Sequence, residues 1–356
     1  MWLRPGGRVP AKSAWWGGEM TDAGTPTRFR PTKLFAALIA AYAASVLFSV
    51  LMSRLGGQTS IWTATGFLTA VLILLRGSWR IAAVALCLGF QAAVALTVGD
   101  GLARALVNPT VNLFEAGIAA WLAVTYCGAR RRRLSLGQIS LFVIGAIAPA
   151  AMLGALIGAG ARLLLTGQGF VDGWLAWVIP SGLGMTLVTP AALLMAREGQ
   201  YKEFRRTRIE TAGLLAGACA LAAVAFWQSA LPLQFVIFPA LTLVAFRLGP
   251  PGAAIAGIFV AVICLALVML GHGPTMPGLS RLAQVRLTQV VLAAAVCTAL
   301  ATAAVVADRS RLKRLLVSRD RAAKAARLRA RDAEWLAARV IDARNNVTAR
   351  RGLRAV

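Results

Sequence analysis

The sequence predicts an all-α, polytopic transmembrane helical bundle with a C-terminal cytoplasmic helix, and three observations lead to that fold class. Hydrophobic residues make up 58% of the 356 residues and charged residues only 14%, a balance typical of membrane proteins. Long apolar runs recur along the chain, and short basic clusters separate them. A chain of this kind crosses a membrane repeatedly, so its composition argues against a soluble enzyme.

Ten apolar runs are candidate spans, and because several are short we predict eight to ten spans, with ten favoured. A helix needs about 20 residues to cross a hydrocarbon core of about 30 Å. The runs cover residues 34–52, 61–75, 81–98, 106–127, 139–165, 174–195, 211–227, 231–246, 253–270 and 283–307. This divides the chain into a disordered N-terminal tail (1–33), a membrane domain (34–307) and a basic C-terminal segment (308–356). Met20 is an alternative start of translation.

The basic clusters predict the orientation, since cytoplasmic loops carry an excess of Lys and Arg. A cytoplasmic N-terminus places every basic cluster on one side. These clusters are Arg76 with Arg80, the arginine run 130–133, the basic residues between 197 and 208, Arg247, and residues 309–314. Both termini are therefore expected in the cytoplasm. The net charge of +25 is spread over loops that face anionic lipid, so a lipid bilayer is the expected partner and nucleic acid is not.

The cysteines and the single histidine predict no metal site and no cofactor. All five cysteines fall inside apolar runs without paired spacing, as packing residues do. His272 lies in a Gly-Pro loop on the outer side, where a plain loop residue is more common than a ligand. We therefore expect no metal-dependent chemistry from these residues.

A polar stripe interrupts the run 106–127. Asn108, Asn112 and Glu115 follow one another at spacings of four and three, which places them on one face of a helix. Glu115 falls near the middle of the membrane, where an ionisable group is costly and marks a functional site by default. The stripe must therefore face protein or water rather than lipid.

Two interpretations of this stripe remain open. It forms a site for a cation, a polar ligand or a proton, or it forms an interhelical clasp in which Glu115 is neutral or paired. Arg162 and Arg286 are the candidate charge partners, because both lie within apolar runs near the outer side. The two interpretations are compatible with each other.

A second polar set lies in the run 174–195. Trp177, Pro180, Ser181, Gly182 and Gly184 predict a bent helix that brings backbone carbonyls near a cavity. Together with the stripe, Trp177 and Ser181 complete the predicted ligand-sensing set. A nearby series, Gly154, Gly158 and Arg162, predicts a helix face that allows close approach of another helix.

The composition changes after residue 307, with fifteen Lys and Arg against five Asp and Glu and no proline. This segment predicts a continuous helix with a heptad-like apolar stripe that includes Leu312 and Leu316 and is interrupted by Arg319. Three interpretations remain: a signalling helix that pairs in a homodimer, a basic helix on solvent or lipid, or disorder. In the first, these three residues relay the signal.

Several motifs in sequence order resemble the first class of MASE domains, which are bacterial membrane-associated sensor domains. The run from Trp177 to Gly184, with Pro190, resembles its W-W-L-G-D-x-L-G pattern, and Asn112-Leu-Phe-Glu115 matches its N-x-x-E. The remaining landmarks are Thr65-Gly66, Arg76, Trp79-Arg80, Phe238-Pro239, Arg247-Leu-Gly249 and Gly271-His-Gly273-Pro274. One difference is that Ser181 stands where the family commonly has Asp.

The resemblance implies a sensory module in the bacterial inner membrane that acts in two-component or cyclic-di-GMP signalling. Such domains precede histidine kinase or diguanylate cyclase modules, whose motifs this sequence lacks. We therefore expect a non-enzymatic sensor that relays an unknown stimulus through its C-terminal helix. The alternatives are a small-molecule transporter and a membrane partner that regulates a separate cytoplasmic signalling enzyme.

Overall fold

The computed structural model describes residues 31–56, 61–129, 138, 141–197, 201, 204, 206–228, 233–273 and 280–352. Within these ranges the structure contains helices and no strand, which confirms the all-α fold class. Part of the predicted N-terminal tail, the arginine run 130–133, and Pro274 lie outside the described residues.

Nine α-helices are assigned in the described part of the chain. They are α1 (Pro31–Gly56), α2 (Ala64–Leu74), α3 (Gly77–Thr97), α4 (Leu102–Thr125), α5 (Ala148–Thr166), α6 (Phe170–Ala196), α7 (Arg208–Trp227), α8 (Ile237–Met269) and α9 (Arg281–Gly352). A π-helical turn, Val143–Ile147, leads into α5, and a 3-10 turn, Leu233–Val236, leads into α8. Among the described residues, seven helical segments are long and apolar enough to cross a membrane.

Helices α1, α3, α5 and α7 present large apolar side chains on the outside of the bundle. Ile81, Leu164 and Ile209 are more than 70% exposed, as is Ile144 in the π-helical turn before α5, and Leu47 of α1 is 54% exposed. Such a surface is costly in water and suits contact with hydrocarbon. The exposed side chains therefore agree with a polytopic membrane protein.

Helix α8 reverses direction at Gly249. Its contacts with the two ends of the neighbouring helix α7 show the direction in which each half of α8 runs. Glu210 lies in the first turn of α7, and Trp227 lies at its end. Arg247 contacts the Glu210 carboxylate, whereas His272 stacks on Trp227 with ring centroids 4.4 Å apart. The half of α8 after Gly249 therefore runs from one end of α7 to the other.

The half of α8 before Gly249 crosses in the opposite direction. Gln228 and Leu233 are five residues apart, a distance that the chain spans with at most about 18 Å. A straight α8 would place Leu233 roughly 45 Å from the end of α7, at 1.5 Å per residue. Gly249 has a φ of 64° and precedes two prolines, so it permits the reversal. The predicted runs 231–246 and 253–270 are thus the two arms of one hairpin.

Helix α2 is much shorter than the predicted run 61–75. Its 11 residues span about 16 Å, or half of a hydrocarbon core. The chain before it is held in a non-helical conformation, because the backbone N–H of Trp62 donates to the carbonyl of Pro180 in α6, at 3.1 Å. This run is therefore a half-helix preceded by irregular backbone and is too short to cross a membrane by itself. A membrane tolerates irregular backbone where protein or a cavity surrounds it.

Contacts between loops define the two ends of the bundle. At one end, named here the Arg197 end, the Arg197 guanidinium donates to the carbonyl of Ala129, and Phe35 packs against Trp79. At the other end, named the pocket end, the Arg54 guanidinium donates to the carbonyl of Val98. The described residues of the predicted cytoplasmic clusters before α9 lie at the Arg197 end.

The largest apolar core joins α6, α7, α8 and α9. Alanines dominate the interface between α8 and α9, including Ala253, Ala256, Ala295, Ala299 and Ala303, all buried. Small residues let the two backbones approach closely. Helix α9 continues from this core without a break to Gly352, and its side chains from Arg311 to Leu336 are exposed apart from the half-buried Ala325.

Candidate functional site

A cavity of about 430 Å³ lies between α1, α3, α4, α5, α6 and the start of α2. This volume is in the range of about 300–1,000 Å³ that is usual for small-molecule sites. Exposed Arg54 and Arg104 lie at its mouth, so it opens toward the pocket end, whereas buried Asn112 and Ser181 lie at its inner side. The cavity thus reaches from the surface to the polar stripe of α4.

An amide pair forms the floor. The Tyr42 hydroxyl donates to Oε1 of Gln91 at 2.7 Å, and Nδ2 of Asn112 donates to the same oxygen at 3.2 Å. Oδ1 of Asn112 is buried and has no hydrogen-bond partner among the described residues. Because a buried polar atom without a partner is costly, this oxygen is ready to accept a hydrogen bond from a ligand or water.

The Glu115 carboxylate lies behind the pocket wall and is fully buried. It accepts a hydrogen bond from the Ser181 hydroxyl at 2.6 Å and another from Nε1 of Trp177 at 3.2 Å. Trp177 and Ser181 line the cavity, whereas Glu115 does not. The geometry is therefore that of an interhelical clasp between α4 and α6, and Glu115 orients two residues of the pocket wall.

The predicted charge partners of Glu115 are corrected by this geometry. Among the described residues, no basic group lies within the 4.0 Å of an ion pair with the carboxylate. Arg162 instead lies over the ring of Trp177, with its guanidinium carbon 6.0 Å from the ring centroid. Arg286 is on α9, outside the cavity. The hydroxyl and the indole take the place of the expected cation.

Two glycines of α5 make room for the clasp. A Cβ on Gly154 would lie 2.9 Å from Cβ of Glu115, and a Cβ on Gly158 would lie 2.5 Å from the ring of Trp177. Both distances are shorter than ordinary carbon contacts, so any side chain there displaces the clasp. The predicted small-residue face of this helix therefore fits against the two residues that hold the polar site.

Helices α2 and α6 meet backbone to backbone at the inner wall. A Cβ on Gly66 would lie 2.9 Å from the carbonyl oxygen of Gly184, and a Cβ on Gly184 would overlap the carbonyl of Trp62. Thr189 of α6 donates to the carbonyl of Gly66 at 3.0 Å. These contacts fix the start of α2 beside the cavity, where the indole N–H of Trp62 has no partner among the described residues.

Three arginines, Arg54, Arg104 and Arg162, surround the outer part of the cavity, against a single acidic side chain. That side chain, Asp100, already forms an ion pair with Arg104 at 3.5 Å. Arg104 and Arg162 line the same cavity and carry like charges. The outer part of the pocket is therefore positively charged.

Four of the five predicted sensing residues line the cavity, namely Asn108, Asn112, Trp177 and Ser181. The fifth, Glu115, contacts Trp177 and Ser181 from behind the wall. Sequence reasoning missed Tyr42, Gln91, Trp62, Arg54 and Arg104. Gln91 is an amide inside an apolar run, the same signal that identified Asn112, whereas the arginines are near the ends of their helices and resemble ordinary loop charges.

The predicted relay residues Leu312 and Leu316 are exposed on α9, with 60% and 67% of their surface accessible, and Arg319 is exposed beside them.

The described residues contain no cluster of His, Cys, Asp or Glu that would hold a metal ion.

A family model described as MASE1 matches residues 32–311, which is most of the chain. No curated protein and no solved structure matches the sequence.

Proposed function

The chain belongs to the MASE1 family, a family of membrane-associated sensor domains, and on that premise we propose that the cavity is its sensed site and α9 its output. A stimulus acts by favouring one arrangement of the bundle over another, and it shifts the population only by the difference in its affinity for the two. The proposal therefore requires a physical connection between the cavity and α9.

Helix α6 supplies that connection and is the observation that carries the proposal. Trp177 and Ser181 of α6 line the cavity, and the same helix packs against α8 and α9. Pro180 lacks the N–H that would continue the helical hydrogen-bond ladder, which makes a bend there cheap. A ligand that moves Trp177 changes the bend of α6, and the packed core passes that change to α9.

The output is a rotation or sliding of α9 that its exposed continuation carries away from the bundle. Leu312 and Leu316 stand in a heptad-like relation and would pair with a second copy in a homodimer, with Arg319 destabilising one register. The charged helix then contacts a cytoplasmic signalling enzyme. In this arrangement the membrane chain performs no catalysis, in keeping with a family whose domain is not itself catalytic.

The location follows from the same charges. The protein is proposed to lie in the bacterial inner membrane, with its Arg197 end and both termini in the cytoplasm and the cavity open to the outside. The described basic clusters at the Arg197 end and the basic helix after Ala307 support this orientation. The sensed compound would then reach the cavity without crossing the membrane.

Glu115→Gln tests the relay in the full chain in membranes. Ser181 and Trp177 donate to different oxygens of Glu115, and Gln replaces one of those oxygens with an NH2 donor, so one of the two hydrogen bonds is lost in the present geometry. We therefore expect the clasp to loosen while membrane insertion is preserved. The readout is disulfide cross-linking between protomers at Leu312→Cys, made without the five native cysteines. We expect the cross-linking rate to change in Glu115→Gln and to stay unchanged in the control Glu210→Gln.

Three results would each contradict a part of the proposal. Loss of assembled protein in proportion to the change in cross-linking would leave Glu115 as a structural clasp only. Absence of any Leu312 cross-link in the parent chain would remove the homodimer. Co-purification of a soluble signalling enzyme that survives deletion of residues 309–356 would exclude the tail as its contact.

A transporter is the second candidate, and the half-helix α2 favours it. Transporters bind substrate near the middle of the membrane beside discontinuous helices, and α2 begins at such a depth beside the cavity. Uptake of a cavity ligand into proteoliposomes, lost in Asn112→Leu, would support transport. Binding without uptake would favour the sensor.

A further inference from the structure

We propose that the cavity binds a small organic anion, held by Arg54 and Arg162 at its mouth and by a hydrogen bond to Asn112 at its floor. This inference rests on the proposed function, because it names the ligand class of the same cavity. Four steps lead to it: the charge of the mouth, the unpartnered groups of the floor, the absence of a free carboxylate, and the size.

The arginines at the mouth are short of partners. Arg54 makes one described hydrogen bond, to the carbonyl of Val98 at 3.3 Å, and the Arg162 guanidinium lies over the ring of Trp177, with no ion pair to it among the described residues. Asp100 is already occupied by Arg104. A half-buried guanidinium without a carboxylate attracts an anion strongly, because the interaction is weakly screened there. Planar carboxylates and phosphates match the fork of an arginine.

The anion would also relieve a repulsion. Arg104 and Arg162 line the same cavity from α4 and α5, and like charges repel one another. Like charges in a cleft with apolar walls raise the local concentration of counter-ions. An anion held by Arg54 and Arg162 would offset this repulsion.

The floor specifies the other end of the ligand. Oδ1 of Asn112 is a buried acceptor without a described partner, and Nε1 of Trp62 is a buried donor without one. A hydroxyl group can bind to either atom, since it donates and accepts, and an ammonium group can donate to the acceptor. The matching compound therefore carries an anionic group at one end and a hydroxyl or ammonium group at the other.

A cation is a poor fit to this cavity. The only acidic lining residue among those described is Asp100, which is paired. Glu115 is separated from the cavity by Trp177 and Ser181, whose donors occupy its oxygens. A cation would therefore meet arginines at the mouth and no free carboxylate inside.

The volume of the cavity limits the size of its ligand. About 430 Å³ is larger than a single inorganic ion requires and is suited to a small metabolite. The same chemistry is carried by a free solute and by the phosphate headgroup of an anionic lipid. The experiment separates these two sources.

The test uses the full chain in nanodiscs of phosphatidylcholine alone or with added phosphatidylglycerol. Succinate, glutamate and glycerol phosphate are the anionic probes, and putrescine and glycerol are the cationic and neutral comparisons. Binding is followed by tryptophan fluorescence and by the melting temperature. We expect at least one anion to bind saturably, and Arg162→Gln and Arg54→Gln to weaken it by roughly 10- to 100-fold, the factor typical of a hydrogen bond to a charged group.

Arg247→Gln is the matched control, because Arg247 is an exposed arginine at the Arg197 end. It should leave binding unchanged. The melting temperature of each variant without ligand checks that it has folded, and Asn112→Leu supplies an independent loss at the floor. Anion-dependent stabilisation that appears only with phosphatidylglycerol would identify the headgroup as the source of the anion.

Three results would overturn the proposal: putrescine or glycerol binding as tightly as every anion, Arg162→Gln in a folded protein leaving anion binding intact, or no stabilisation by any anion in either lipid. These results are separate from failure of the proposed function. Anion binding without any change in Leu312 cross-linking would refute the relay and keep the ligand class. A change in Leu312 cross-linking caused by a cation, and unaffected by Arg162→Gln, would refute the anionic ligand class and keep the relay.

Discussion

The two halves of the bundle bury different kinds of side chain. The pocket half, α1–α5 with the first part of α6, buries Gln91, Asn112 and Glu115 in its interior. The apolar half, α7–α9 with the last part of α6, is dominated by Ala, Leu and Val, and its core is the largest in the molecule. Polar groups in a bilayer are expensive unless they are partnered, so their concentration on one side indicates function rather than packing.

The two halves suit different tasks in a sensor, with ligand binding in the pocket half and transmission of the signal in the apolar half. The pocket half has buried atoms that are short of partners, so a ligand can stabilise it. The described core of the apolar half is mainly aliphatic, although Gln234 and Gln289 are buried beside it. Its close alanine packing transmits displacement instead of absorbing it. Helix α6 belongs to both halves. We expect substitutions in the pocket half to change ligand binding, and substitutions in the apolar half to change stability without changing ligand binding.

The largest effect is expected from filling the space beneath the clasp. Gly158→Leu places atoms where the Trp177 ring lies, and we expect a loss of at least about 3 kcal/mol in the free energy of unfolding, the upper end for overpacking. Melting in nanodiscs measures it. Gly160→Leu, two residues along the same helix with open space around its Cα, is the control. Equal losses of unfolding free energy in the two variants would show that contact with Trp177 is not the reason for the effect at Gly158.

A smaller loss is expected at the turn of the apolar half. Gly249→Ala forces a side chain into a left-handed conformation and toward the ring of Phe204, 2.5 Å from the new Cβ. Strained backbone of this kind costs about 1–3 kcal/mol. Gly213→Ala on α7, with open space around it, should be neutral or slightly stabilising. We expect ligand binding in the cavity to be preserved, and its loss would mean that the halves are not separable.

Removing one donor of the clasp should cost less. Ser181→Ala deletes the 2.6 Å hydrogen bond to Glu115, with an expected loss of about 1–2 kcal/mol. The control is Ser45→Ala, because the Ser45 hydroxyl bonds only to the Tyr42 carbonyl on its own helix. The two melting temperatures give the comparison. Ser181→Ala should also change the fluorescence of Trp177, and an unchanged spectrum would argue against a shared clasp.

The smallest effect is expected at the pocket end of the apolar half. His272→Ala removes the stacking on Trp227, a contact worth about 0.5 kcal/mol when it is exposed to solvent. Anion binding should not change, because neither ring lines the cavity. A change in affinity larger than twofold would contradict the boundary drawn between the halves.

The sequence determined much of the fold because apolar runs must become helices in a bilayer. It predicted the helical membrane architecture, and it singled out Asn112, Glu115, Trp177 and Ser181, since polar residues inside apolar runs are conspicuous. It also anticipated the glycine face of α5, because small residues at a four-residue spacing are visible in one dimension.

Only the tertiary structure decided which of these groups meet. Whether Glu115 pairs with a cation or with Ser181 depends on the rotation of α4 against α6, which periodicity does not fix. The half-length of α2 depends on a hydrogen bond from Trp62 to Pro180, more than a hundred residues away. The arginines of the cavity mouth come from three helices. In the sequence Arg54 and Arg104 look like ordinary loop charges, and Arg162 suggests only a partner for Glu115. Their convergence arises from packing, because charge acts through space and not along the chain.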